Sequence, residues 1–105
     1  MKTLSKTQAQ SIDSLKLLGD YWTLRIVGAL RLGEIRFCEL QRLVGNVNPV
    51  TLTGRLKKLE ESKLINRTEE SVDGCSVTYS LTELGHKALP VLEAINHFSQ
   101  AAQKP

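Results

Sequence analysis

The chain lacks most of the spacings that build enzymatic or metal chemistry. Its two cysteines, Cys38 and Cys75, show neither C-x-x-C spacing nor a nearby histidine pair, so neither a zinc site nor a disulfide framework is indicated and reduced thiols are expected. His86 and His97, its two histidines, have no H-x-x-x-H or H-x-x-E spacing and read as surface or interface residues. There is no G-x-G-x-x-G, phosphate loop or G-x-S-x-G, and the carboxylate pairs Glu60-Glu61 and Glu69-Glu70 read as solvated charge. No catalysis, cofactor or metal is therefore expected. No stretch approaches the roughly 18 apolar residues of a membrane span. The start, MKTLSKTQAQ, lacks the apolar run of roughly 7 to 15 residues in a secretory signal. The expectation is a cytoplasmic protein without a membrane partner. Internal repeats and low-complexity tracts are absent too.

What is present is a chain of 105 residues with 41% hydrophobic content, enough for one core and one domain. Fourteen basic residues against 11 acidic ones give only +3, too mild a net charge to define a partner class. Residues 1 to 68 carry 12 Lys/Arg against 6 Asp/Glu, and residues 69 to 105 carry 2 against 5, so the two parts hold +6 and −3. That asymmetry suits amino-terminal elements that meet phosphates and a carboxy-terminal part that pairs with another subunit, although ordinary solvated faces would also produce it.

Periodicity divides the chain into helices and a hairpin. Residues 1 to 10 are polar and expected to fray; Ile12, Leu15 and Leu18 then recur at helical spacing until Gly19 stops the first helix. Asp20 is placed to cap a second helix with Trp22, Ile26, Ala29 and Leu30 on one face, and Glu34 to Arg36 form a bridge. Phe37, Leu40 and Val44 mark a third helix ending near Gly45, and Asn46 to Asn48 form a short turn. Asn48 caps a fourth helix with Pro49 in its first turn; it runs to about Ser62 with Leu52, Leu56 and Leu59 as its buried stripe. Leu64–Thr68 and Val77–Leu81 read as two strands around an Asp73-Gly74 turn. Thr82 caps a final helix in which Leu84, Ala88, Val91, Leu92, Ile95 and Phe98 form an apolar band wider than one core face requires, with Pro90 as a bend and Gln100 to Pro105 frayed. The outline is mainly α with a small β-hairpin (α+β): a winged helix-turn-helix, with residues 37–62 as the helix-turn-helix, 64–81 as the wing and 82–99 as a dimerisation helix.

The fourth helix carries the functional expectation. Opposite its leucines lie Val50, Gly54, Lys57 and Lys58, with Thr51, Thr53 and Arg55 on the flanks. A major groove about 12 Å wide admits a helix, and small residues at its front let the backbone approach the bases. Gly54 costs about 1 kcal/mol of helix propensity relative to alanine, which hints at close approach to something. Val50 suits a thymine methyl, Thr51 and Thr53 suit bases or phosphates, Arg55 suits guanine or a phosphate, and Lys57 and Lys58 suit the backbone. An amphipathic helix with solvated lysines, or a protein-docking surface, would share this pattern.

The segments LGDYWTLRIVGAL, GEIRFCELQRLV, NPVTLTGRLKKLEESKLINR and VTYSLTELGHKALPVLEAI, in that order over roughly residues 15 to 95, resemble the HxlR family of bacterial and archaeal regulators. Within them, R-F-x-E-L opens the third helix, L-T-x-R-L-x-x-L-E lies in the fourth and Y-S-L-T-x-x-G precedes the last. The resemblance implies a homodimeric winged-helix transcription factor on a pseudo-palindromic double-stranded operator, the first and last helices forming the subunit interface. It places Arg36, Thr53 and Arg55 near DNA, Asn48 to Lys58 in the recognition helix, and Trp22 and Phe37 in the core. Ile12, Leu15, Leu89, Leu92, Ile95 and Phe98 are the interface candidates.

Two departures limit the carry-over. Where many members have a cysteine-proline pair used in some to sense oxidants or electrophiles, this chain has Ala9-Gln10. Where the wing often reads P-P-R-V-E-Y, this chain has Gly74-Cys75-Ser76-Val77-Thr78-Tyr79, without the arginine. The wing is left with phosphate contacts from Arg67, Ser76 or Thr78, and Cys38 and Cys75 stand as alternative redox sensors if a lowered pKa makes either reactive. Rival readings within the fold are a winged-helix protein-interaction module and a small-molecule-sensing repressor of the MarR or ArsR kind.

Overall fold

The order of elements follows from where the chain can and cannot continue a helix. In the computed structural model, which describes residues 13–69 and 77–103, helix α1 (13–18) stops at Gly19, whose N–H donates to the Leu15 carbonyl at 2.7 Å. Asp20 takes an extended conformation and its carboxylate accepts from the Trp22 N–H at 3.3 Å, the cap that opens α2 (Tyr21–Ala29). The single apolar face expected for α2 is too narrow a description. Thr23, Leu24, Ile26 and Val27 are all buried, because α2 is the central helix and packs on α3 (Phe37–Leu43), α4 (Pro49–Glu61) and α6 (Leu89–Gln103).

Glu34 to Arg36 do more than bridge. Ile35–Arg36 form a short strand, β1, that pairs antiparallel with β3 (Val77–Leu81), Ile35 opposite Tyr79 and Arg36 opposite Thr78. On its other side β3 pairs with β2 (Ile65–Glu69), so the expected two-stranded hairpin is the larger part of a three-stranded sheet ordered β1-β3-β2. The first wing strand begins at Ile65 rather than Leu64, because Lys63 turns the chain with φ of 67°. The buried Leu64 then uses its backbone to join elements: its N–H donates to the Leu59 carbonyl and its carbonyl accepts from the Thr82 N–H, both at 3.0 Å.

The last helix is two helices. Thr82 caps α5 (Glu83–Lys87) by accepting from the Gly85 N–H at 3.0 Å, and its hydroxyl donates to the Lys63 carbonyl at 2.6 Å, tying the end of α4 to the start of α5. The helix breaks at Ala88, since the Pro90 ring has no N–H and clashes with the carbonyl four residues back. Beyond the break α6 runs to Gln103, so residues 100–103 are helical rather than frayed. Its early turns pack onto α2 at Gly28, where a Cβ would lie 2.8 Å from Leu92 Cδ2.

One core joins all of this. Ile26, Val27, Leu30, Leu40, Val44, Leu52, Leu56 and Ile65 are fully buried, and Trp22, Phe37, Leu89 and Leu92 pack half-buried around them. Gly85 is the tightest point: a Cβ there would sit 2.2 Å from the Leu64 carbonyl oxygen, a backbone atom that cannot rotate away. Gly85→Ala is expected to lower folding stability by about 3 kcal/mol, measured by urea unfolding; an unchanged midpoint would show that α5 shifts freely.

Candidate nucleic-acid interface

The orientation of α4 is set from beneath. Leu52, Leu56 and Leu59 bury its inner side, which turns Val50, Thr51, Thr53, Gly54, Lys57 and Lys58 outward as exposed residues. Val50, in the first turn of this well-anchored helix, is 81% exposed. Asn48 caps the helix by accepting from the Val50 N–H at 2.8 Å, so its side-chain oxygen is committed to the backbone. Among the described residues no heavy atom of another element lies within 4 Å of where a Gly54 Cβ would be. The packing of the described residues does not require this glycine, and the fold does not account for its helix-propensity cost.

The turn before α4 is held by two side chains that the sequence reading did not single out. Gly45 at φ of 102° and Asn46 at φ of 55° make the reversal. Gln41 Nε2 donates to the Val47 carbonyl at 2.8 Å, and Arg25 Nη2 donates to the Val44 carbonyl at 2.8 Å. Arg25 in turn lies over the rings of Tyr21 and Trp22, 5.0 and 5.5 Å from their centroids, and donates to the Tyr21 hydroxyl. The only trace in the sequence is the spacing of Arg25 three and four residues after two aromatics on one helix.

The flanks of α4 differ. On one side Arg55 Nη1 meets Asp20 Oδ2 at 2.8 Å, above a cleft of about 270 Å³ between α1, α2 and α4 that Lys16, Trp22 and Lys58 also line. On the other, Thr53 faces the sheet across a groove of about 520 Å³ lined with Arg36, Phe37, Cys38, Arg67, Val77 and Tyr79. Arg36 and Cys38 are exposed there. Arg67 Nη2 donates to Glu69 Oε1 at 2.7 Å, and that carboxylate pushes the guanidinium pKa further up.

One expected contact residue is corrected. Thr78 is only 4% exposed; on the central strand it lies between Arg36 and Thr68, and its hydroxyl reaches the Thr68 carbonyl at 3.4 Å. It has no path to a ligand. Ser76 and Cys75 lie outside the described residues.

Apolar residues are also exposed on α1, α5 and α6. Leu15 is 71% and Phe98 73% exposed, and Leu84, Val91 and Ile95 are exposed too. Leu89 and Leu92, expected among them, are half-buried against the core instead, because the start of α6 seats in the notch at Gly28. Ile12 lies outside the described residues. Among the described residues no group of three or more His, Cys, Asp or Glu is placed to hold a metal, and no helix is long and apolar enough to cross a membrane.

Residues 17–105 match the family described as HxlR-like helix-turn-helix. An uncharacterized HTH-type transcriptional regulator of Halalkalibacterium halodurans is 37% identical over 83 residues, 78% of this chain and 74% of that one. The uncharacterized HTH-type transcriptional regulator YdzF of Bacillus subtilis is 30% identical over 107 residues, covering 100% of this chain and 98% of its own. Among solved structures, one from Porphyromonas gingivalis described as a MarR-family transcriptional regulator superposes with a TM-score of 0.82 at 29% identity, covering 94% of this chain and 97% of that one.

Because nothing among the described residues crowds Gly54, Gly54→Ala is expected to raise folding stability by up to about 1 kcal/mol. A lowered melting midpoint would place that residue in the core's service rather than at the surface.

Proposed function

Because the chain belongs to the HxlR-like helix-turn-helix family, whose curated relatives are transcriptional regulators and not enzymes, we propose that it binds double-stranded DNA as a homodimer with α4 in the major groove. It then acts in the cytoplasm on a pseudo-palindromic operator. The observation that carries the reading is the outer face of α4: a bare Val50, a glycine with open space at Gly54, and Lys57 and Lys58 further along. An apolar methyl-sized contact, a point of close backbone approach and trailing cations occur in the order a groove-inserted helix uses them. Val50, Thr51 and Thr53 are the base-facing candidates; Arg36 and Arg67 across the 520 Å³ groove are placed for the flanking backbone.

The homodimer rests on the exposed apolar residues Leu15 of α1 and Val91, Ile95 and Phe98 of α6. A twofold pairing there would present two copies of α4 to one side of a duplex. The protein-docking reading shares the fold but predicts no dependence on phosphate neutralisation.

Affinity for random-sequence duplex, read by fluorescence anisotropy, should fall about a hundredfold between about 50 and about 200 mM salt, as neutralising about four phosphates requires. Affinity that is flat in salt would support protein docking instead. Gly54→Ala, though more stable, should bind duplex about tenfold more weakly. Phe98→Asp should sediment as a folded monomer where the wild type sediments as a dimer, and a wild-type monomer would remove the paired-helix arrangement.

A further inference from the structure

Among the described residues, Asp20 is the one carboxylate whose two oxygens join two elements of this fold. Oδ1 accepts from the Trp22 N–H at 3.3 Å and caps α2; Oδ2 accepts from Arg55 Nη1 at 2.8 Å on α4, 35 residues away. The cap fixes the carboxylate to the backbone of α2, and the carboxylate fixes the guanidinium. Arg55 and Asp20 side chains keep 38% and 26% of their surface, so the pair sits at the mouth of the 270 Å³ cleft rather than in the core. A guanidinium has five N–H donors in a rigid plane, and Asp20 engages only Nη1 in this structure. Lys16 and Lys58 line the same cleft, and among the described residues neither is in a salt bridge.

We propose that Asp20 is a positioning residue for DNA binding: it orients Arg55 as a clamp on a backbone phosphate at the α2 flank of α4, and so takes Arg55 out of base reading. This rests on the DNA-binding reading above. Arg55 leaves α4 on the flank facing α2, while Val50 and Gly54 occupy the front. An arginine already ordered by a partner loses less freedom when it meets a phosphate than a free one does. The sequence-reading set on α4 then narrows to Val50, Thr51 and Thr53, with Gly54 allowing the approach.

The sign of one substitution separates this from simpler accounts. Asp20→Asn keeps a good N-cap but loses the charge that holds Arg55. If charge alone mattered, removing an anion beside phosphates would tighten binding. If Asp20 positions Arg55, Asp20→Asn weakens binding to random duplex by about tenfold, while the melting midpoint moves by only a few degrees, as for an exposed pair. Arg55→Gln should weaken binding by a similar factor, and Arg55→Lys nearly as much, since lysine keeps the charge without the fork. The double variant Asp20→Asn/Arg55→Gln should match Arg55→Gln within about twofold. Unchanged or tighter binding by Asp20→Asn, wild-type binding by Arg55→Lys, or losses that multiply in the double variant would each overturn the proposal while leaving DNA binding intact. A wild-type protein with no salt-dependent duplex binding would overturn both.

Discussion

Everything functional in this molecule depends on the burial of three leucines on one side of α4. Leu52, Leu56 and Leu59 are each no more than 2% exposed, and they share the core with Ile26, Leu30 and Leu40. Burying side chains of this size is worth roughly 1.5–3 kcal/mol each, far more than any surface contact the helix makes. A helix held this firmly cannot roll, so the residues opposite the leucines are committed to solvent whether or not they are comfortable there. Val50 and Gly54 are poor choices for a solvated helix face on stability grounds. Their presence, on the side the core has turned outward, is what links packing to function.

The remaining interactions refine that orientation at its two ends. Arg25 and Gln41 hold the backbone carbonyls of the turn at Val44 and Val47, Asn48 caps the helix start, and Thr82 ties the Lys63 carbonyl just beyond its end. α2 contributes Arg25 from within and Asp20 from its cap while receiving α6 in the notch at Gly28. The exposed apolar residues of α6 and the small basic surface of α4 are therefore joined through one central helix. A pairing of subunits on the first would fix the spacing of the second.

Much of this was legible in the chain itself because local rules and global packing agree. The caps at Asp20, Asn48 and Thr82, the stop at Gly19 and the leucine stripe of α4 need only their neighbours in sequence. What was not legible depends on distant partners. Ile35–Arg36 is too short for any alternation and becomes a strand only because β3 offers an edge. Thr78 looked outward on a hairpin with one open face, but the added strand makes β3 central and buries it. Leu92 belonged by period to the exposed band of the last helix, and a glycine sixty-four positions earlier draws it into the core. The same holds for Arg55, whose partner Asp20 lies 35 residues away.

The central claim, that the face opposite the leucine stripe meets DNA, is tested most directly by following backbone amide signals while random-sequence duplex is added at low salt. The account predicts that the largest changes fall on Val50, Thr51, Gly54 and Lys57, with Val91, Ile95 and Phe98 unaffected. Changes concentrated on α6 with α4 silent would contradict it.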